Sequence, residues 1–217
     1  MSPAPSFRWP AGAADMLETG AGLSPVTSDP GTRAERLADN WVYGGALAGV
    51  MLLCLTPALT AGWPAADVLI FLTLPVYMIH QYEEHDADRF RHFMNATMAG
   101  GREAMTRRAV FVINVFGVWA PLALCVALTR SGGPGFGVFA GWLLLVNALL
   151  HAAPALRMRR YNPGLVTALL LFLPLGAAVL ASAWALASPA QVWTGLALAI
   201  ALHAAIIIHM KRRIAQF

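Results

Sequence analysis

Six apolar runs, each about as long as a bilayer core is thick, leave this chain few ways to fold. A helix rising ~1.5 Å per residue needs about 20 apolar residues to cross a ~30 Å hydrocarbon core. Residues 41–61, 109–129, 137–156, 164–187 and 190–210 meet that test. Residues 66–84 meet it as far as Ile79, then turn polar while still in helical phase. Helix is the only open structure that satisfies its own backbone in lipid, and nothing alternates at period two as a barrel strand would. The expected fold is all-α: a polytopic membrane helix bundle with six transmembrane helices. Composition agrees, since 58% of the 217 residues are hydrophobic and only 12% are charged. Those values exclude a disordered chain, a secreted disulfide scaffold and an ordinary nucleic-acid binder, so no nucleic-acid partner is expected. Cys54 and Cys125 both fall inside apolar runs and read as small buried hydrophobes.

Residues 1–31 are rich in Pro, Gly, Ala and Ser, show no period, and lack the apolar core of a signal peptide. They read as a disordered arm ahead of a membrane domain over 32–217. Thr32-Arg33-Ala34-Glu35 has the form of a capping box and marks where order begins. Orientation follows from the basic residues. With both termini cytoplasmic, all of the 15 Lys and Arg residues except Arg130 fall inside, as the positive-inside rule asks. The expected location is a multi-pass position in the bacterial inner (cell) membrane, with lipids as neighbours. Trp41, Trp63 and Trp193 lie near span ends and read as anchors in the aromatic belt.

Ionisable side chains inside spans cost about 2.5–3.5 kcal/mol each on insertion scales, so each calls for a reason. They are His80, Glu83 and Glu84 in the second span, His151 in the fourth and His203 in the sixth. Asn114 and Asn147 add supporting polar groups in the third and fourth. Asp67 opens the second span, where it is expected to face water. The even-numbered spans run in one direction, which brings the three histidines about 9–14 Å inside the same boundary. Asn114 reaches that depth too. His80, Glu83 and Glu84 are spaced i, i+3, i+4 and share a helix face. Histidines and carboxylates on facing helices are how bundle metal sites are built, and imidazole favours zinc, iron or manganese over magnesium or calcium. Two other arrangements compete: Glu83 or Glu84 pairing with Arg89, Arg107 or Arg108, and snorkelling to the interface. His85, Asp86, Asp88 and His92 are expected on a solvated loop over 85–108.

His80-Gln81-Tyr82-Glu83-Glu84 resembles the defining motif of the HXXEE-motif family, a group of integral membrane proteins whose activity is not established. That family carries one further histidine and a Tyr-x-Pro-Gly element. Here Tyr161-Asn162-Pro163-Gly164 matches the element, and His151 is the natural second histidine. The resemblance covers roughly residues 66–187 and implies a membrane protein with an enzymatic function. The segment from Asp86 to Phe90 lacks the Pro-Gly turn of some members.

The residues thus point to a metal-dependent enzyme at the cytoplasmic end of the bundle. One or two divalent transition-metal ions would be held by His80, Glu84, His151 and His203. Glu83 would serve as general base or bridging ligand. Tyr161 would reach the site as a donor, or serve only in a turn that ends one span and opens the next. A site between spans suits an apolar or lipid-like small molecule. A proton or cation transporter using the same residues, and a structural or accessory membrane protein, are the alternatives.

Overall fold

The computed structural model describes residues 32–217, so the arm expected over 1–31 lies outside the described residues. The chain divides into a unit ending at Arg36 and a unit over Leu37–Phe217. In the described part of the first, the capping box forms: Glu35 N–H donates to Thr32 Oγ1 at 3.2 Å and Thr32 N–H to Glu35 Oε2 at 2.6 Å.

The described secondary structure is entirely helical. In chain order the elements are α1 (Arg33–Leu59), α2 (Ala65–His85), α3 (Arg89–Met98), α4 (Arg107–Gly132), α5 (Val138–Met158), α6 (Leu165–Leu186) and α7 (Pro189–Ile214). Six runs among the described residues are long and apolar enough to cross a membrane, the second of them joining α2 to α3. Their ends follow local chemistry. Thr106 caps α4 by accepting from Ala109 N–H at 3.2 Å. Ser188 and Gln191 cap α7 reciprocally, with Pro189 supplying a preset first turn.

The six-helix unit is polar inside and apolar outside at its most telling positions. His80 and Gln81 are fully buried, whereas Leu47, Phe116 and Leu170 are 70%, 63% and 68% exposed. Water would penalise that arrangement and lipid favours it. The main core gathers Tyr77 of α2, Val118 and Leu122 of α4, Leu143 and Leu144 of α5, Phe172 of α6 and Ala199 of α7. Close approach of α5 and α6 depends on Gly176, where a Cβ would sit 2.9 Å from Leu145 Cδ2 and 3.1 Å from the Gly141 carbonyl oxygen. Small residues at such crossings are how helices pack when lipid removes the hydrophobic drive.

Three expectations need correction. Asp67 does not face water: it is buried at the start of α2 and pairs with Arg130 of α4, whose guanidinium also lies 4.3 Å over Trp63. A charge inside the bundle needs a partner more than it needs to snorkel. Trp41 is buried too, packed on His85 and Trp119 with ring centroids 5.2 and 5.6 Å apart. The stretch read as a polar loop contains α3, whose Phe90, Phe93, Met94 and Met98 turn to a cavity at the basic end of the bundle.

Candidate metal centre

α2 meets the rest of the bundle along one face. Ile70, Thr73, Tyr77, His80, Gln81, Glu84 and His85 are among its buried residues and follow one another at steps of three and four, so the polar end of the helix continues its apolar stripe inward. Glu84 stands at the centre. Its Oε2 lies 3.6 Å from His80 Nε2 and 3.1 Å from His85 Nε2, and its Oε1 lies 3.6 Å from His151 Nε2 on α5. One donor atom from each of His80, Glu84 and His151 falls within 4.8 Å of the others, and all three residues are buried.

Hydrogen bonding decides which imidazole nitrogen faces the centre. His80 Nδ1 lies 2.8 Å from Thr167 Oγ1. The Thr167 hydroxyl has one proton, and its other two neighbours, the Glu83 carboxylate and the Gly164 carbonyl, only accept. His80 Nδ1 therefore donates to Thr167, and in the neutral imidazole Nε2 carries the lone pair. That Nε2 is buried without a hydrogen-bond partner. His151 follows the same rule. Its Nδ1 lies 2.8 Å from Asn162 Oδ1, while Asn162 Nδ2 donates to the His151 carbonyl at 2.9 Å, which fixes the amide and makes Nδ1 the donor. Both histidines thus point Nε2 lone pairs at one carboxylate.

In their neutral forms the two imidazoles and the carboxylate make a donor set that could hold a cation. Ligands held at ~2.0–2.1 Å around a tetrahedral ion lie ~3.3 Å apart; here the two Nε2 atoms each lie 3.6 Å from a different oxygen of Glu84. Metal-bound histidines characteristically give their other nitrogen to an outer acceptor, which Thr167 and Asn162 provide. Two histidines and one carboxylate form the donor set of catalytic zinc sites and of non-haem iron sites, both of which leave positions open.

Glu83 sits elsewhere. It accepts from Tyr161 Oη at 2.9 Å, Val166 N–H at 3.1 Å, Thr167 N–H at 2.7 Å and the Thr167 hydroxyl. It occupies the N-terminus of α6, where free amides and the helix dipole favour an anion. Burial and then the Glu83 carboxylate push the Tyr161 phenol above the usual tyrosine range, so it stays a donor at neutral pH. Among the described residues neither glutamate pairs with an arginine. The arginines take other acids: Arg89 pairs with Asp86, Arg91 with Asp88 and Glu103, and Arg107 with Asp39 and Asp88.

The Tyr161–Gly164 turn holds the cluster from above. Beyond the Tyr161 and Asn162 bonds, Gly164 has φ +93°, and a Cβ there would lie 2.7 Å from His151 Cε1 and 2.9 Å from His80 Cε1. Only glycine suits both the backbone and the space.

His85 was expected in water and is buried. Its Nε2 contacts Glu84, and Asn114 Nδ2 lies 3.2 Å from the same nitrogen. Asn114 belongs to a chain of amides: Trp119 Nε1 donates to Gln81 Oε1, and Gln81 Nε2 donates to Asn114 Oδ1 at 2.7 Å. The i+4 step from Gln81 to His85 was the available signal for this residue. Thr167 and Asn162 carried less: one lies at a helix start, the other within the turn motif.

A cavity of about 570 Å³ opens onto this centre. Glu84, His85 and His151 line it, and His203 stands on its α7 wall outside the three-residue group. His203 Nδ1 lies 2.8 Å from the Ala199 carbonyl, so that nitrogen carries the proton and Nε2 is bare. Asn147 lines the cavity one turn from His151 and donates to Tyr77 Oη at 2.9 Å.

Comparison with known proteins adds one finding. The family model described as "Protein of unknown function with HXXEE motif" matches residues 71–179, half of the chain. Neither a curated protein nor a solved structure matches the chain.

Proposed function

The chain belongs to the HXXEE-motif family, proteins of unknown function, and from the geometry of its buried cluster we propose a metal-dependent membrane enzyme. Its site lies at the cytoplasmic end of the bundle and takes an apolar or lipid-like substrate. The observation that carries this reading is the convergence of the His80 and His151 Nε2 lone pairs on Glu84, each with its Nδ1 proton held by an outer acceptor. One ion of zinc, iron or manganese suits that donor set. Such an ion supplies a Lewis acid that polarises a substrate oxygen or makes water acidic near neutral pH. Glu83 orients Thr167, and through it His80, while Tyr161 and Asn162 fix the turn over the cluster. His203 is left free to touch the substrate. The cavity beside the cluster is mostly apolar, which supports a substrate drawn from lipid.

The test is thermal. Protein stripped with a chelator and titrated with zinc, manganese or ferrous iron should unfold at a higher temperature with at least one of them, because binding to the native state stabilises it. His151→Ala should lose that shift. A wild-type protein whose melting ignores all three ions would end the proposal.

A further inference from the structure

The cavity beside the cluster has a length and a polarity that together describe its occupant. On α5 its wall runs from Asn147 to Met158, about 16 Å along the helix axis. Its wider part is apolar, lined by Phe90, Phe93, Met94 and Met98 of α3 and by Met158. The end beyond His151 is different. Asn147 Nδ2 donates one hydrogen bond to Tyr77 Oη, and its Oδ1 is buried with no partner among the described residues. The Tyr77 hydroxyl accepts that bond, and its own proton has no acceptor among the described residues. His203 also lines the cavity, and with its Nδ1 on the Ala199 carbonyl its neutral imidazole has Nε2 as an acceptor. These groups therefore offer two donors, the Tyr77 hydroxyl and the second Asn147 N–H, and two acceptors, Asn147 Oδ1 and His203 Nε2.

A hydroxyl group, which both gives and takes a hydrogen bond, matches that set. A carboxylate or phosphate does not. With no proton to give, it would leave both acceptors unpaired and stand near Glu84, while Arg157, the cationic side chain in the lining, lies ~15 Å from Asn147 along α5. A bare hydrocarbon end would leave the Asn147 and Tyr77 groups buried and unsatisfied. We infer that the cavity binds a neutral long-chain alcohol. Its hydroxyl lies among Tyr77, Asn147 and His203, and its chain runs past the cluster into the apolar part beneath α3. The inference rests on the metal-centre reading only for what happens to the alcohol; the binding stands on the cavity.

The test compares 1-dodecanol, dodecane and dodecanoate on the full chain in neutral detergent, each at the same mole fraction in the micelle. Dodecanol should bind about tenfold tighter than dodecane, the worth of about one net hydrogen bond. Dodecanoate should bind no tighter than dodecane. Asn147→Leu should bring dodecanol to the level of dodecane, and Tyr77→Phe, which keeps the ring, should do so if the leucine variant does not fold. Dodecanoate matching dodecanol, dodecanol matching dodecane in the wild type, or a preference that survives both substitutions would each overturn the inference. Metal content measured on the same preparation separates the two readings. Metal retained without alcohol preference removes only this one, and alcohol preference without metal removes only the metal centre.

Discussion

Thr167 is the residue on which the cluster's polarity turns. It accepts from His80 and donates to Glu83, so one hydroxyl joins the first glutamate of the motif to the histidine that opens it. Replacing it with valine keeps the shape and removes the acceptor. Thr167→Val should weaken metal binding about 10- to 100-fold, the usual cost of losing an outer partner of a ligating histidine. Thr167→Ser should restore it, and competition against a chromophoric chelator measures both. Gly164→Ala should fail differently, because its backbone is left-handed and its Cβ would press on both imidazoles. A loss of about 1–3 kcal/mol in stability is expected, read as a lower thermal midpoint. At this scale the sequence made the clustered residues conspicuous, though it added His203, which lies outside the group. His80, Glu84 and His151 are ionisable groups set in apolar runs, and lipid makes such groups conspicuous. It put Glu83 at the same centre as Glu84. Helical spacing puts both within a turn of His80, and only the packing of α6 against α2 sends one to a helix end and the other to the centre.

At the scale of elements, the informative pieces are those that interrupt regular helix. A π-helical turn follows Asn114 directly in α4, and a second follows Thr167 in α6. Each extra residue shifts the helix face just after a polar side chain of the site, a common place for such turns. Nothing in apolar sequence announces them. The third interruption separates α2 from α3, where Ala87 and Asp88 adopt left-handed backbone with φ of 51° and 62°. α3 then lies over the cavity, held by Arg91, which pairs with Asp88 at 2.6 Å and Glu103 at 2.7 Å. Arg91→Met should release both acids and loosen the helix. Hydrogen exchange should rise across residues 89–98 and stay unchanged in α5; equal exchange in variant and wild type would contradict a tethering role. The apolar spacing of Phe90, Phe93, Met94 and Met98 was visible, but Arg91, His92 and Asn95 between them gave the stretch the look of a solvated loop.

The whole molecule is ordered by what lipid and water each tolerate. Apolar run length alone carried the six long helices, since no other arrangement satisfies the backbone. Which end faces which compartment is a separate claim, resting on the basic residues. With Cys54 and Cys125 replaced, a cysteine introduced by Ser131→Cys should react with an impermeant maleimide on intact cells, and one introduced by Gln216→Cys should react only in inverted vesicles. The reverse pattern would turn the orientation over. The far end of the bundle has its own buried charge, since Asp67 depends on Arg130 for a partner. Arg130→Met should therefore lower stability without changing metal binding. The central claim is that one divalent ion lies between His80, Glu84 and His151. Elemental analysis of the detergent-purified chain tests it most directly. The expected result is one equivalent of zinc, iron or manganese per chain in the wild type and a small fraction of that in Glu84→Gln and His151→Ala. A wild type carrying no stoichiometric metal after growth in metal-replete medium, or variants that retain a full equivalent, would contradict it.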